Sequence, residues 1–73
     1  MIYIYHVTYD EDGELFNEGQ APIAIKNPIY KTVGEWIAAR VSVGWTATSE
    51  NQVAKIDRNG FLDVVTYWEK EIE

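Results

Sequence analysis

Ile2-Tyr3-Ile4-Tyr5-His6-Val7-Thr8-Tyr9 is the stretch that decides the fold. It holds no Gly or Pro, and its β-branched and aromatic side chains suit a pleated surface. Period-two alternation sets Ile2, Ile4, His6 and Thr8 on one face and Tyr3, Tyr5, Val7 and Tyr9 on the other. Both faces are largely apolar, which predicts a central strand. Asp10-Glu11-Asp12-Gly13 follows, with Asp at the first and Gly at the fourth position of a type I turn; Gly13 is predicted at positive φ as a G1 bulge. A second strand is predicted over 14–20. Pro22 cannot donate to a ladder, so Ala21–Ile25 reads as an edge or an irregular continuation.

Beyond Asn27-Pro28 the pattern changes to helical spacing. Thr32 with Glu35 three residues on fits a capping box, and Val33, Trp36, Ile37 and Val41 form one apolar stripe. Gly44 suits the position after the C-cap, with Arg40 facing the negative end of the helix dipole. A helix is therefore predicted over 33–43. Trp45–Gln52 reads as a polar loop. Strands over 52–57 and 61–68 then form a hairpin around Asp57-Arg58-Asn59-Gly60, which repeats the grammar of the first turn. A bulge at Gly60 pairs Asp57 with Phe61, Lys55 with Asp63 and Val53 with Val65. That register predicts a Lys55–Asp63 salt bridge outside and Ile56, Leu62, Ala54, Val64 and Trp68 inside. The tail from Glu69 to Glu73 is expected to fray. The order is β-β-α-β-β: an α+β fold, one antiparallel sheet with one helix on one face, in a single compact domain over 1–73.

Composition agrees with this class. Ile and Val number 15 against two Leu and one Met, so strands should dominate. A chain of 73 residues buries only roughly 60% of its unfolded surface, and without cysteine no disulfide or thiolate zinc site can supplement that margin. No apolar run approaches the ~20 residues of a membrane helix, and the N-terminus has no signal-peptide pattern, so a cytoplasmic protein is expected, in a bacterial or host cell.

Charge is unevenly spread. Residues 1–25 carry Asp10, Glu11, Asp12, Glu14 and Glu18 with no Lys or Arg, within an overall net charge of −6. Such a field opposes nucleic-acid and anionic-membrane binding and favours a basic protein partner. The one histidine, His6, lies mid-strand without a neighbouring nucleophile, and the bulged first hairpin would put it opposite Glu18. Asp10, Asp12 and Glu14 alternate like cation ligands, but a tight hairpin turn is not a twelve-residue calcium loop between helices. No catalytic, metal or cofactor site is expected. Trp36 and Trp68 read as core and Trp45 as a lid over the core edge. Tyr3, Tyr5 and Tyr9 share one sheet face, where Tyr is a typical interface anchor.

At class level the chain resembles small acidic phage-encoded proteins that block host or defence machinery, anti-CRISPR proteins among them. Its size, acidity, lack of cysteine and tight turns such as Asp57-Arg58-Asn59-Gly60 carry the resemblance. It implies stoichiometric binding without catalysis, sometimes with carboxylates standing in for phosphates. The expected function is thus a non-catalytic protein-binding module, an inhibitor of a bacterial nucleic-acid-handling or defence complex. Its partner would be a host protein with a basic surface, met by Asp10, Glu11, Asp12, Glu14, Glu18, Tyr3, Tyr5 and Tyr9. The alternatives are an accessory domain that forms a homodimer, and a single-strand nucleic-acid binder stacking bases on the Tyr face.

Overall fold

A computed structural model describes residues 1–19, 22–26 and 28–69. The readings made for Gln20, Ala21, Asn27 and the tail from Lys70 fall outside those residues. The class is the expected one, an antiparallel sheet with a helix against it. The elements run β1 (Ile2–Tyr9), β2 (Leu15–Glu18), β3 (Ile23–Ala24), α1 (Val33–Ser42), β4 (Thr46–Ser49), β5 (Gln52–Ile56) and β6 (Leu62–Glu69). Across the six-stranded sheet the order is β2-β1-β6-β5-β4, with β3 also pairing to β1. β1 is central, and it pairs with β6 along its whole length, from Ile2 opposite Glu69 to Tyr9 opposite Leu62.

Both main turns form as their sequences require. Asp10 and Asp57 each open a turn closed by the amide of Gly13 or Gly60, at 2.9 and 3.0 Å. Each aspartate also uses one carboxylate oxygen to accept two amides further round the turn. Gly13 and Gly60 have φ of +84° and +85°, where a Cβ is disfavoured. The β5–β6 register is the predicted one, with Val53 opposite Val65 and Lys55 opposite Asp63.

The polar segment 45–52 is not all loop. Thr46–Ser49 pairs with β5 as an outer strand whose side chains are all exposed, so Thr and Ser satisfy water on an edge where no core selects apolar residues. In the first hairpin, β2 is shorter than expected and bulged. The extra residue places Glu18 opposite Val7, not His6, whose carbonyl accepts the Gly19 amide at 2.8 Å.

The helix is bounded as read. Thr32 is extended and its hydroxyl accepts the Glu35 amide at 3.2 Å. At the other end Gly44 and Trp45 donate to the Val41 and Arg40 carbonyls, a Schellman closure. Its inner stripe differs at one position. Val41 is 46% exposed, and Arg40 faces the sheet in its place. Arg40 follows Trp36 by four residues and Ile37 by three, which sets it on their face. There its Nε donates to the Tyr67 hydroxyl at 2.8 Å. Tyr67 is fully buried, stacked under Trp36 with ring centres 5.5 Å apart. Ile2, Ile37, Val53, Val65 and Tyr67 form the core, with Val33, Trp36 and Trp45 packed on it. Trp45 closes the core edge as expected, beneath the Arg40 guanidinium.

This core settles which side of the sheet is inside, and it reverses the sequence reading of the last hairpin. The helix lies over β4, β5 and β6 on the face bearing Val53, Val65 and Tyr67. Ala54, Ile56, Leu62, Val64 and Trp68 alternate onto the opposite face, so Trp68 is not core. β6 is apolar on both sides, and the pairing register alone does not say which side meets the helix.

Two stability measurements follow. Trp36→Ala should cost about 3–5 kcal/mol by thermal or denaturant unfolding, and Trp68→Ala less than half as much, because only Trp36 covers Tyr67. Gly13→Ala and Gly60→Ala should each cost about 1 kcal/mol, since neither turn can relax its positive φ without losing its closing bonds.

Candidate functional site

The face away from the helix is assembled from three strands. Tyr3, Tyr5, Val7 and Tyr9 of β1 stand opposite Trp68, Thr66, Val64 and Leu62 of β6. Gln52, Ala54 and Ile56 of β5 extend the same face beyond β6. Tyr3 and Trp68 lie nearly parallel with ring centres 6.4 Å apart, and the Gln52 amide donates to Thr66 Oγ1 at 2.9 Å. None of these eleven residues is Asp, Glu, Lys, Arg or His. Most are half-buried by their strand neighbours, and Ile56 is 68% exposed. The Tyr3, Tyr5 and Tyr9 set predicted from alternation is therefore together, on the open side.

One end of this face is acidic. The turn between β1 and β2 presents Glu11, Asp12 and Glu14 to solvent, while Asp10 is committed to the turn's own amides. The turn between β5 and β6 lies alongside, with Gly60 against Glu11. Between the two turns runs an open groove of about 450 Å³, with Tyr9, Ile56 and Leu62 as its apolar walls and Asp10 and Glu11 at its rim. Among the described residues, Glu11, Asp12 and Glu14 make no ion pair with Lys or Arg.

Glu18 does not belong to that acidic end. The bulge in β2 carries it to the flank of the open face, where its carboxylate accepts the Tyr5 hydroxyl. The hydrogen bond to Glu18, with smaller contributions from burial and the carboxylate's charge, holds the Tyr5 pKa above the usual tyrosine value. The five carboxylates read from sequence as one group thus divide into a turn-building Asp10, an exposed trio, and Glu18 beside the Tyr face.

The helix-side face holds a second polar group. Asp63 Oδ1 lies 3.0 Å from His6 Nε2 and accepts the Thr8 hydroxyl at 2.9 Å. Thr8 Oγ1 and His6 Nε2 are 3.5 Å apart, and both converge on the same Asp63 oxygen. Asp63 is thereby taken by β1, and the expected Lys55–Asp63 salt bridge does not form. Lys55 turns toward the C-terminal end of α1, with Nζ 3.9 Å from the point a Cβ on Gly44 would occupy. No group of three or more metal-ligating side chains occurs among the described residues.

Ile56, Leu62, Val64 and Trp68 are the surface residues that sequence reasoning placed inside. Helix size signals that one face is open, though not which one. A ten-residue helix is about 15 Å long and covers one side of about three strands, so a sheet with two apolar faces must leave one open. No protein-family model matches the chain, and neither the curated proteins nor the solved structures compared with it contain a match.

The Tyr5–Glu18 contact is directly measurable. In Glu18→Gln the phenol loses its anionic acceptor, and the Tyr5 ring should titrate at a lower pH than in the parent chain, followed by NMR of labelled tyrosine. Because the folded-state pKa is raised, the stability this contact adds is present below the ordinary tyrosine range. It is lost as pH rises through the Tyr5 value in the folded chain.

Proposed function

We propose that this chain is a non-catalytic protein-binding module whose acidic end engages a basic surface on a partner protein. The observation that carries the reading is the exposed trio Glu11, Asp12 and Glu14 on a turn whose Glu11 rims a groove walled by Tyr9, Ile56 and Leu62. Like charges crowded on one turn add nothing to folding, since Asp10 and Gly13 alone build it. Beside an apolar groove they match the chemistry of Lys and Arg, whose stems pack on aliphatic and aromatic surface while the cation meets carboxylate.

A protein surface that otherwise holds phosphate is the partner class this arrangement fits, and occupying it would make the chain an inhibitor of a nucleic-acid-handling complex. Base stacking on the Tyr face is disfavoured by the same geometry: the face carries no Lys or Arg to neutralise phosphate.

The test is capture from bacterial lysate on the immobilised chain, with the triple variant Glu11→Gln, Asp12→Asn, Glu14→Gln as its control. Basic proteins retained by the parent should be lost with the variant. For a purified captured protein the on-rate should fall roughly tenfold at low ionic strength, and the difference should shrink as salt rises, as expected for steering screened over a Debye length of about 8 Å at physiological salt. Equal capture and equal on-rates for both chains would contradict the proposal.

A further inference from the structure

We propose that the open sheet face is covered by a second copy of this chain, two sheets packing face to face about a two-fold axis. This inference rests on the face itself, which shares Tyr9, Ile56 and Leu62 with the groove beside the acidic turn.

Size is the first consideration. Strands of four, eight, eight, five and four residues, at ~3.3 Å per residue and ~4.8 Å between strands, give a face on the order of 460 Å². A standard stable interface buries about 800 Å² on each partner and weak, transient ones less than about 600 Å², so one copy laid on another falls in the weak, concentration-dependent class. Two sheets packed this way cross at about 30°, as their twist dictates.

Chemistry selects the occupant. On a two-fold axis each group lies near its own equivalent, so an ionised side chain there would meet its own charge. The centre of this face carries Tyr5, Val7, Val64 and Thr66, with Gln52 beyond them, and no charge among them. Tyr and Thr hydroxyls and the Gln amide both donate and accept, and can pair with copies of themselves. The one carboxylate at the flank, Glu18, is already engaged by Tyr5. The centre of the face, by contrast, offers a basic partner no carboxylate to pair with.

Charge also selects the orientation. An axis parallel to the strands would bring the two Glu11-Asp12-Glu14 turns together. An axis perpendicular to them sets each acidic turn over the Tyr3–Trp68 end of the other copy, and passes near the Tyr5–Thr66 pair at the middle of the β1–β6 ladder. The second arrangement avoids the repulsion and places the two acidic turns at opposite ends of the pair. Edge-to-edge pairing is the poorer route, because the β1–β2 ladder is bulged and so is the ladder of β4, the opposite outer strand.

Sedimentation of the full chain from low micromolar to submillimolar concentration is the test. The expected result is a monomer–dimer equilibrium that higher salt strengthens, because each copy carries −6. That is the opposite of the salt response expected for the acidic turn, so the two proposals fail separately. Val64→Lys, which plants a charge at the centre of the face, should abolish the dimer while the circular dichroism of the dilute chain stays native. Thr66→Glu gives the same readout if the first variant does not fold. A parent chain that stays monomeric throughout, a trimer or larger species, or a folded central-face variant that still dimerises would overturn the inference.

Discussion

Tyr67 is the side chain on which the arrangement turns. It is fully buried at the centre of the sheet, beneath the Trp36 ring, and its hydroxyl is satisfied only because Arg40 reaches across from the helix. A buried phenol without a partner would cost free energy, so the helix must present Arg40, and not Val41, to the sheet. That requirement fixes the rotation of α1 over the face of β5 and β6 that bears Val53, Val65 and Tyr67. Everything on the other face, from Tyr3 to Ile56, is open as a consequence.

Local structure was the legible part of the sequence. The two Asp-x-(Asp/Asn)-Gly turns, the Thr32 cap and the Gly44 stop are short-range devices, and each forms as its residues require. The face assignment was not legible, because β1 and β6 are apolar on both sides and periodicity carries no sign. Tyr3, Tyr5 and Tyr9 were correctly grouped by alternation, yet Trp68, Val64 and Leu62 were placed inside by the same rule. Glu18 was misplaced by one position because a bulge leaves no mark in the residues that flank it. Edge strand β4 was hidden by its polarity, which reflects exposure and not absence of pairing.

The molecule presents two surfaces with opposite electrostatic character. The acidic turn carries exposed charge beside a groove; the open face carries a broad uncharged area with self-compatible polar groups. Salt would weaken the contacts proposed for the first and favour the association proposed for the second. A pair of chains joined through their open faces would display two acidic ends, and a repeated basic surface would bind such a pair more tightly than a single chain by effective concentration. The His6–Thr8–Asp63 group takes no part in either surface. It ties β1 to β6 on the helix side, beyond the reach of the helix, where an unpaired Asp63 would otherwise face a partly buried setting.

All of this depends on which face is covered, and that can be measured without knowing any partner. Paramagnetic relaxation by a soluble gadolinium chelate, read on side-chain NMR signals of the dilute monomer, reports solvent approach residue by residue. The account predicts strong relaxation at Val7, Val64, Ile56 and Trp68, and protection at Val53, Val65, Tyr67 and Ile37. Protection of Val64 and Trp68 with strong relaxation of Val65 and Tyr67 would contradict it, because the helix would then lie on the opposite side of the sheet.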